Sequence, residues 1–578
     1  MEDLLSPVEL YQSTLKEAHA RNTFEFFEDL VRQSQVDAAQ NAVLVDAISK
    51  LDKKIGEAGS SNNLWKVARV GAVIVGLLCA YLGATQHWAW FAVPAALTAL
   101  VILKLNPAIR AGKDRQTLLK GQRDAKEAEA WAQMAPLNRL YGWDIFSRLV
   151  QQTTPLIEVD RYFTEGRLGQ LREGFGWDDE HNRSRSIVFA HSGLINGNPF
   201  VFAHTLRHRM GTKRYTGSLR INWTEQVRDS DGKMTTVSRS ERLDASVTKP
   251  FPEFTDEVRL IYGNQAAPDL SFSRAPSSLS GLDEGLINNW RKDRAIKKLE
   301  AISRDLSDGS DFTVMANREF DALFGATNRD HEVQFRLLFT PLAQQEMVKL
   351  LKDKTVGFGD DFYITKLRMI NLVEMAHASN VDISSDPRKF HSYDLATARQ
   401  YFNAYHNSLF KTFFFNFAPL LTIPLYQQHR THEDIYKDVR KQASCYWEHE
   451  SIANYMGEDK FAHPSCITRS ILKAETRQVR EAGQVVQITA HGYGGINRVD
   501  HVSVRGGDGR YHRVSVKWVE YVSVSRDSNL LVRDGDGAEQ DEASATPEPS
   551  WLTRLVQAGI DPSLAVLRRS IVSAMLPA

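Results

Sequence analysis

The sequence predicts a membrane protein with an N-terminal helical arm, a two-helix transmembrane hairpin, and a large cytosolic α+β region with β-rich subdomains. Three observations predict it. No Asp, Glu, Lys or Arg occurs between Val70 and Leu103. Polar, helix-forming sequence precedes that run, and short alternating runs punctuated by turn residues begin near residue 183. The expected organisation is a helical arm (1–63), a transmembrane hairpin (64–105), a helical connector (106–182), a β-rich domain (183–275) and a mixed α/β unit (276–375). A helical region (376–470), a β-rich region (471–533), an acidic linker (534–550) and a C-terminal helical segment (551–578) follow.

Composition narrows the classes. Lys plus Arg number 71, as do Asp plus Glu, so the whole chain is not a polyelectrolyte suited to coating nucleic acid. With 42% hydrophobic and 25% charged residues, wholesale disorder is excluded. Three cysteines, Cys79, Cys445 and Cys466, are too few for a disulfide-built secreted scaffold.

The arm, from Pro7 to about residue 57, has no internal proline and carries an apolar face of Leu10, Leu15, Phe24, Phe27, Leu30 and Val31. The charge-free run then reads as two spans, Val70–Leu82 and Trp88–Leu103, broken by the turn Gly83–His87. Each is shorter than the ~20 residues of a comfortable span, but Lys66, Arg69 and Lys104 can extend their charges to the interface. The alternative is a buried helical hairpin in a soluble core. A cleavable signal peptide fits worse, since the run begins far from the N-terminus. Lys53, Lys54, Lys66 and Arg69 precede the hairpin and Lys104, Arg110, Lys113, Arg115, Lys120 and Arg123 follow it, with none in the turn. Both long ends are therefore expected in the cytoplasm, in an inner (plasma) membrane topology with N and C termini cytoplasmic.

The connector continues as charged helix to Met134, before Tyr141, Trp143 and Phe146. Strands are expected at Ser186–His191, Pro199–His204, Tyr215–Val227 and Met234–Val247, with a hairpin turn around Asp231-Gly232. Glu284–Ile302 resumes helical composition. Phe312–Met315 and Glu332–Phe339 are expected as strands, and Pro341–Lys352 as a helix with proline in its first turn. Gly357–Asp361 reads as a turn between strands, and Gly506–Gly509 as the turn of a terminal β-hairpin. Phe413–Tyr426 is apolar but interrupted by Pro419 and Pro424, which suits burial against the cytosolic body, with an interfacial turn as the alternative. The acidic stretch Asp534–Ser550 reads as a flexible tether, and Trp551–Leu576 as a docking helix pair.

Phe312-Thr313-Val314, Phe320, Phe324, Phe335-Arg336-Leu337-Leu338, Thr340-Pro341 and Met347 resemble an uncharacterised bacterial family of two-span membrane-hairpin proteins with a cytosolic α+β region. The resemblance spans residues 60 to 375 loosely, implies the hairpin topology, and carries over no catalytic residue.

The chemical constellation of the sequence is Cys445, His449, His463 and Cys466. Two thiols and two imidazoles are the donors tetrahedral zinc prefers, so a structural zinc site is the expectation, with independent residues as its alternative. Glu448 and Glu450 flank His449 and would activate water were a coordination position open, but the His-Glu-x-x-His spacing of a zincin helix is lacking. Arg207, His208, Arg209, Lys213 and Arg214 supply local charge for lipid headgroups or another anionic partner, against the simpler reading of a solvated basic loop. Together these point to an integral membrane protein acting as a membrane-anchored cytosolic scaffold or interaction module. Its expected partners are the lipid bilayer and other proteins or further copies of itself, with nucleic acid not expected and no substrate assignable. A zinc-dependent membrane-bound hydrolase is the alternative.

Overall fold

The computed structural model describes residues 5–85, 92–228, 233–277, 279–280, 294, 296–301, 312–428, 442–480, 483–534 and 564–576. The chain divides into two compact units: one holds Met1–His19, Phe146–Ser384 and Ser408–Ala578, the other Ala20–Ile145 and Ser385–Asn407.

The smaller unit is helical. Asp37 accepts the N–H groups of Ala39 (2.8 Å) and Gln40 (3.1 Å), and this cap starts a single helix from Ala38 to Thr85, about 72 Å long at 1.5 Å per residue. The return leg runs from Ala92 through a π-turn at Val101–Leu105 into the helix Asn106–Asn138. The legs lie side by side with their charged portions facing. Arg69 donates to Asn106 (3.4 Å), Arg123 pairs with Asp52 (3.4 Å), and a Cβ on Gly112 would sit 3.1 Å from the Asn62 side-chain oxygen. At the far end Leu44, Ile48 and Ala130 form a small core against Tyr393, and Asn41 donates to Gln133 (3.1 Å) and to the Tyr393 carbonyl (2.9 Å). The Ala38–Leu82 and Ala92–Asn138 helices are long and apolar enough to cross a membrane. Within the most apolar 18-residue stretch of each, only 6% is buried: Leu77 is 68% exposed and Leu103 74%. The first helix runs on through Thr85, past the expected break at Gly83, while Gln86–Phe91, with the rest of the expected turn, lies outside the described residues.

The larger unit is α+β with two antiparallel sheets. The first contains β1 (Ile157–Val159), β2 (Arg185–Ile195), β3 (Asn198–Arg228), β4 (Met234–Gly263), β5 (Ser271–Arg274), β6 (Phe362–Leu367) and β7 (Ile370–Met375), in the order β1-β2-β3-β4-β7-β6-β5. The second contains β8 (Ile471–Arg480), β9 (Gly483–Arg505), β10 (Tyr511–Asp534), β11 (Ala565–Arg568) and β12 (Ile571–Met575), in the order β11-β12-β10-β9-β8. The short strands expected at Pro199–His204 and Tyr215–Val227 are one strand, β3, paired with β4 without a break from Phe200↔Tyr262 to Arg228↔Met234. The base of this ribbon is buried at Phe200, Val201, Phe202 and Ala203, while the outer part alternates toward solvent. It meets the β9/β10 ribbon through Ile221, Leu243, Ala245, Val514 and Val516. Gly217 permits the closest approach, since a Cβ there would lie 2.2 Å from the Ser515 carbonyl oxygen. The Gly506–Gly509 turn joins β9 to β10 as expected, and Gly507 donates to Glu241 (2.6 Å).

Four expectations are corrected. Glu332–Leu338 is a helix, capped by His331, because Phe335, Leu338 and Phe339 recur at helical spacing and are buried while Val333 and Leu337 are exposed. Phe312–Met315 forms no strand. Gly357–Asp361 joins the helix Pro341–Lys352 to β6 rather than strand to strand, and is shaped by Asp353 accepting the N–H groups of Thr355, Val356 and Gly357. The C-terminal segment ends in two strands rather than a helix pair, because Ile571–Met575 completes the open edge of β10. Phe413, Phe414, Phe415 and Phe417 are buried in the helix Leu395–Leu421, with Phe413 edge-on to Phe202 at 5.4 Å. Burial, and no interfacial turn, accounts for that segment. Glu284–Ile302 lies largely outside the described residues.

Candidate functional site: a buried arginine socket

The helix Tyr446–Met456 carries the first half of the expected zinc set. Cys445 is its N-cap residue and is fully buried beside Phe163, Leu168 and Trp447. Burial, reinforced by the charges of Glu165 and Glu448, pushes its thiol well above the ordinary range. His449, one turn on, is also buried; its Nε2 hydrogen-bonds the Ser444 hydroxyl (3.0 Å), and burial pushes it down to about 4, so it is neutral at pH 7. The second half sits elsewhere in the local structure. His463 pairs with the Ser465 hydroxyl (2.7 Å) in the loop after the helix, and Cys466, bridged to Gly494 of β9, donates its thiol to the Thr468 carbonyl (3.3 Å). Among the described residues no group of three or more His, Cys, Asp or Glu is placed to hold a metal ion.

The two carboxylates considered as water activators are engaged by protein donors. Glu450 accepts Lys473 (2.6 Å) and the N–H of Ile187 (3.0 Å), and burial raises its pKa. Glu448, 1% exposed, accepts Arg569 Nη1 (2.7 Å) and the N–H of Phe163 (2.9 Å).

That Arg569 contact belongs to a buried polar constellation of the larger unit that the sequence reading missed. The β11/β12 hairpin turns through Arg569 and Ser570, both in the left-handed region (φ 49° and 63°). Each such non-glycine residue costs about 1–2 kcal/mol, so the surroundings must hold the turn. They do so by gripping two guanidinium groups. Arg569, 3% exposed, donates to Glu448, to the Ala190 carbonyl (2.8 Å) and through Nε to the Arg161 carbonyl (2.7 Å). Arg568 donates to the Ser451 hydroxyl (2.9 Å) and stacks on Phe189 (4.7 Å) and Tyr455 (5.0 Å). The socket therefore combines one carboxylate, carbonyls and aromatic faces, the partners a planar cation prefers. His191 lies nearby, its Nε2–H donating to the Ile383 carbonyl (2.8 Å); burial and the positive charge of Arg569 push it down to about 3. The only sequence signal was the Arg568-Arg569 pair between apolar residues.

The basic stretch on β3 is largely neutralised. Arg207 pairs with Glu257 (3.2 Å) and Arg209 with Glu253 (2.6 Å), while Lys213 lies over the rings of Tyr215 (5.5 Å) and Phe251 (4.9 Å). Strand alternation puts His208 and Arg214 on the opposite face from these three. Arg214 is exposed, whereas His208 lines a cavity of about 280 Å³ with Ile471, His491, Tyr493, Ser523 and Ser525. Burial lowers the pKa of both imidazoles there. The five basic residues thus do not form one cationic surface.

No known family model, curated protein or solved structure matches the chain.

Proposed function

We propose that the chain is a membrane-anchored scaffold: the helices at Leu64–Leu82 and Ala92–Leu105 lie in the bilayer, and the α+β region binds other proteins from the cytoplasmic side. The observation that carries this reading is the bare apolar surface of the two helices. Val67, Ile74, Leu77, Leu78, Ile102 and Leu103 are each more than half exposed. At ~1.5–3 kcal/mol for each large apolar side chain fully removed from water, lipid would stabilise such a surface by on the order of 10 kcal/mol. The 19 residues from Leu64 to Leu82 rise about 28 Å, close to the hydrocarbon thickness, so the span is better matched than the charge-free count alone suggested. The antiparallel pairing of Arg69 with Asn106 and of Arg123 with Asp52 supports one side for both ends, and the ten Lys and Arg residues flanking the hairpin favour the cytoplasm. The resemblance to two-span hairpin proteins accords with this topology.

The scaffold role is supported by the ribbons, which expose Val237, Ile496, Val499, Tyr511 and Val522 on extended strand faces. Hydrolysis by a zinc-activated water draws no such support, since Glu448 and Glu450 are bonded to Arg569 and Lys473. A photo-cross-linking residue in place of Val499 or Tyr511, in native membranes, should capture discrete protein partners. Cross-linking to lipid and solvent alone would reject the scaffold reading.

A further inference from the structure

Taking the chain as a scaffold, a reading on which this step rests, we infer that the outward face of the β9/β10 ribbon between Asn497 and Lys517 is a docking surface whose partner is an acidic protein segment.

Charge on this ribbon is sorted by face. The pairs Arg505↔Tyr511, Ser503↔Arg513 and Val499↔Lys517 stand on one side of the two strands, because side chains alternate and directly paired residues share a face. All six are exposed, Val499 at 50% and Tyr511 at 73%. Between them His501 and Ser515 hydrogen-bond each other (3.1 Å). The intervening residues turn the other way: Val502, Val504, Val514 and Val516 pack on the β3/β4 ribbon, and the acids go with them. Asp500 accepts Lys249 (2.7 Å), Glu520 accepts Arg498 (2.7 Å), and Asp508 in the turn accepts His512 (2.9 Å). The outward side holds Arg505, Arg513 and Lys517, joined by exposed Arg510 from the turn, and no carboxylate. Among the described residues none of these four cations has an ion-pair partner. On β3 and β4, by contrast, Arg209, Arg239 and Arg242 each pair with a carboxylate. Like charges gathered on one face repel one another and attract an anionic partner.

The surroundings of the cations select a protein as that partner. Guanidinium forks match carboxylates, and Val499 and Tyr511 offer apolar contact among the charges. Arg513 and Lys517 are four residues apart, ~14 Å at ~3.4 Å per residue, so an extended segment with acids at alternate positions meets both. Tyr511 is the only Phe, Tyr or Trp on this face between Asn497 and Lys517, whereas a single-strand groove stacks successive bases on several rings. No Trp, Phe or Leu accompanies it to enter a headgroup layer, as a lipid-seeking face requires.

The test titrates the full chain, in nonionic detergent at low salt, against a fluorescein-labelled peptide of alternating Glu and Thr that matches Tyr511–Lys517 in length, and reads anisotropy. A second peptide carries Gln in place of Glu. The triple variant Arg505→Gln, Arg513→Gln, Lys517→Gln changes exposed positions only, and Arg239→Gln with Arg242→Gln removes cations already paired on β4 as a control. The Glu peptide should bind the parent and the Gln peptide should not. The triple variant should weaken binding by about tenfold, since each exposed ion pair contributes a factor of roughly 1.4–5, and the control should bind as the parent does. Equal binding of the two peptides, binding of neither, or a loss in the triple variant no greater than in the control would overturn the assignment. Capture of a thymidine oligonucleotide, or of vesicles of equimolar phosphatidylserine and phosphatidylcholine, lost in the triple variant while the Glu peptide is ignored, would reassign the face to those anions and sink the protein partner. Photo-cross-linking at Val499 separates these results from failure of the scaffold reading: partners captured equally by parent and triple variant would keep the scaffold and refute acidic recognition.

Discussion

Replacing Arg569 with methionine removes the cationic partner of Glu448 from a buried site in which Arg568 stays on Ser451 and Phe189. Glu448 would remain buried with the Phe163 N–H as its remaining donor among these contacts, and the carbonyls of Ala190 and Arg161 would each lose an N–H. Breaking a buried pair from one side costs about 3–5 kcal/mol, chiefly from the uncompensated charge left behind. The chain has two units, so a single unfolding free energy is ill-defined and a local measurement is preferable. Hydrogen exchange of β12 and of the helix Tyr446–Met456 reports opening of the socket. A loss of 3 kcal/mol corresponds to roughly 150-fold faster exchange at those amides. Glu448→Gln should have a smaller effect, because the Arg569 guanidinium keeps two carbonyl acceptors. The double variant should be less destabilised than the two losses added, with a coupling of at least ~1.5 kcal/mol. Exchange accelerated by less than about tenfold in Arg569→Met, or strict additivity in the double variant, would refute the reasoning.

Three further outcomes follow from the same contacts. His449 has a folded pKa of about 4 against an ordinary 6.5, so its neutral form is favoured by the fold; the stability it contributes is complete above pH 6.5 and is lost as pH falls toward 4, by about 3 kcal/mol, and protection of the Tyr446–Met456 helix, corrected for intrinsic exchange, should fall across that window. A flat profile would contradict the burial of a neutral imidazole. Gly217→Val should force β3 away from the Ser515 carbonyl, weakening contact between the ribbons by about 1–3 kcal/mol and exposing Trp223, which tryptophan fluorescence would register as a red shift. His463→Ala should leave zinc content and stability unchanged, because among the described residues its ring hydrogen-bonds the neighbouring Ser465; a zinc stoichiometry near one that this substitution abolishes would support the four-ligand site instead.

The hairpin was legible because an uninterrupted apolar run answers to composition alone, and the Pro341 helix because Thr340 and proline mark its start. The ribbon lengths were not. The middle of β3 and β4, where Thr205–Arg214 pairs with Thr248–Glu257, is mostly charged and polar, so the pattern that defines a strand fades where cross-strand pairing still continues. Glu332–Leu338 was misread because Val333, Phe335 and Leu337 alternate with Glu332, Gln334 and Arg336 as a half-exposed strand would, and only burial of Phe335 and Leu338 decides for the helix. The socket was least legible. Arg569 meets Glu448 across 121 positions and Arg161 across 408, and no local pattern announces contacts of that separation. Cys445 and Cys466 show the converse, since chemically suited residues close in sequence were placed in different surroundings.

The central claim is that the exposed faces of the two long helices contact lipid. Spin labels placed singly at Leu77 and Leu103 of the full chain in liposomes measure this directly through collision with dissolved oxygen and with a water-soluble nickel chelate. The account predicts high oxygen and low nickel accessibility at both positions, with the order reversed for a label at Lys113 on the charged continuation of the return helix. Nickel accessibility at Leu77 and Leu103 equal to that at Lys113 would contradict it.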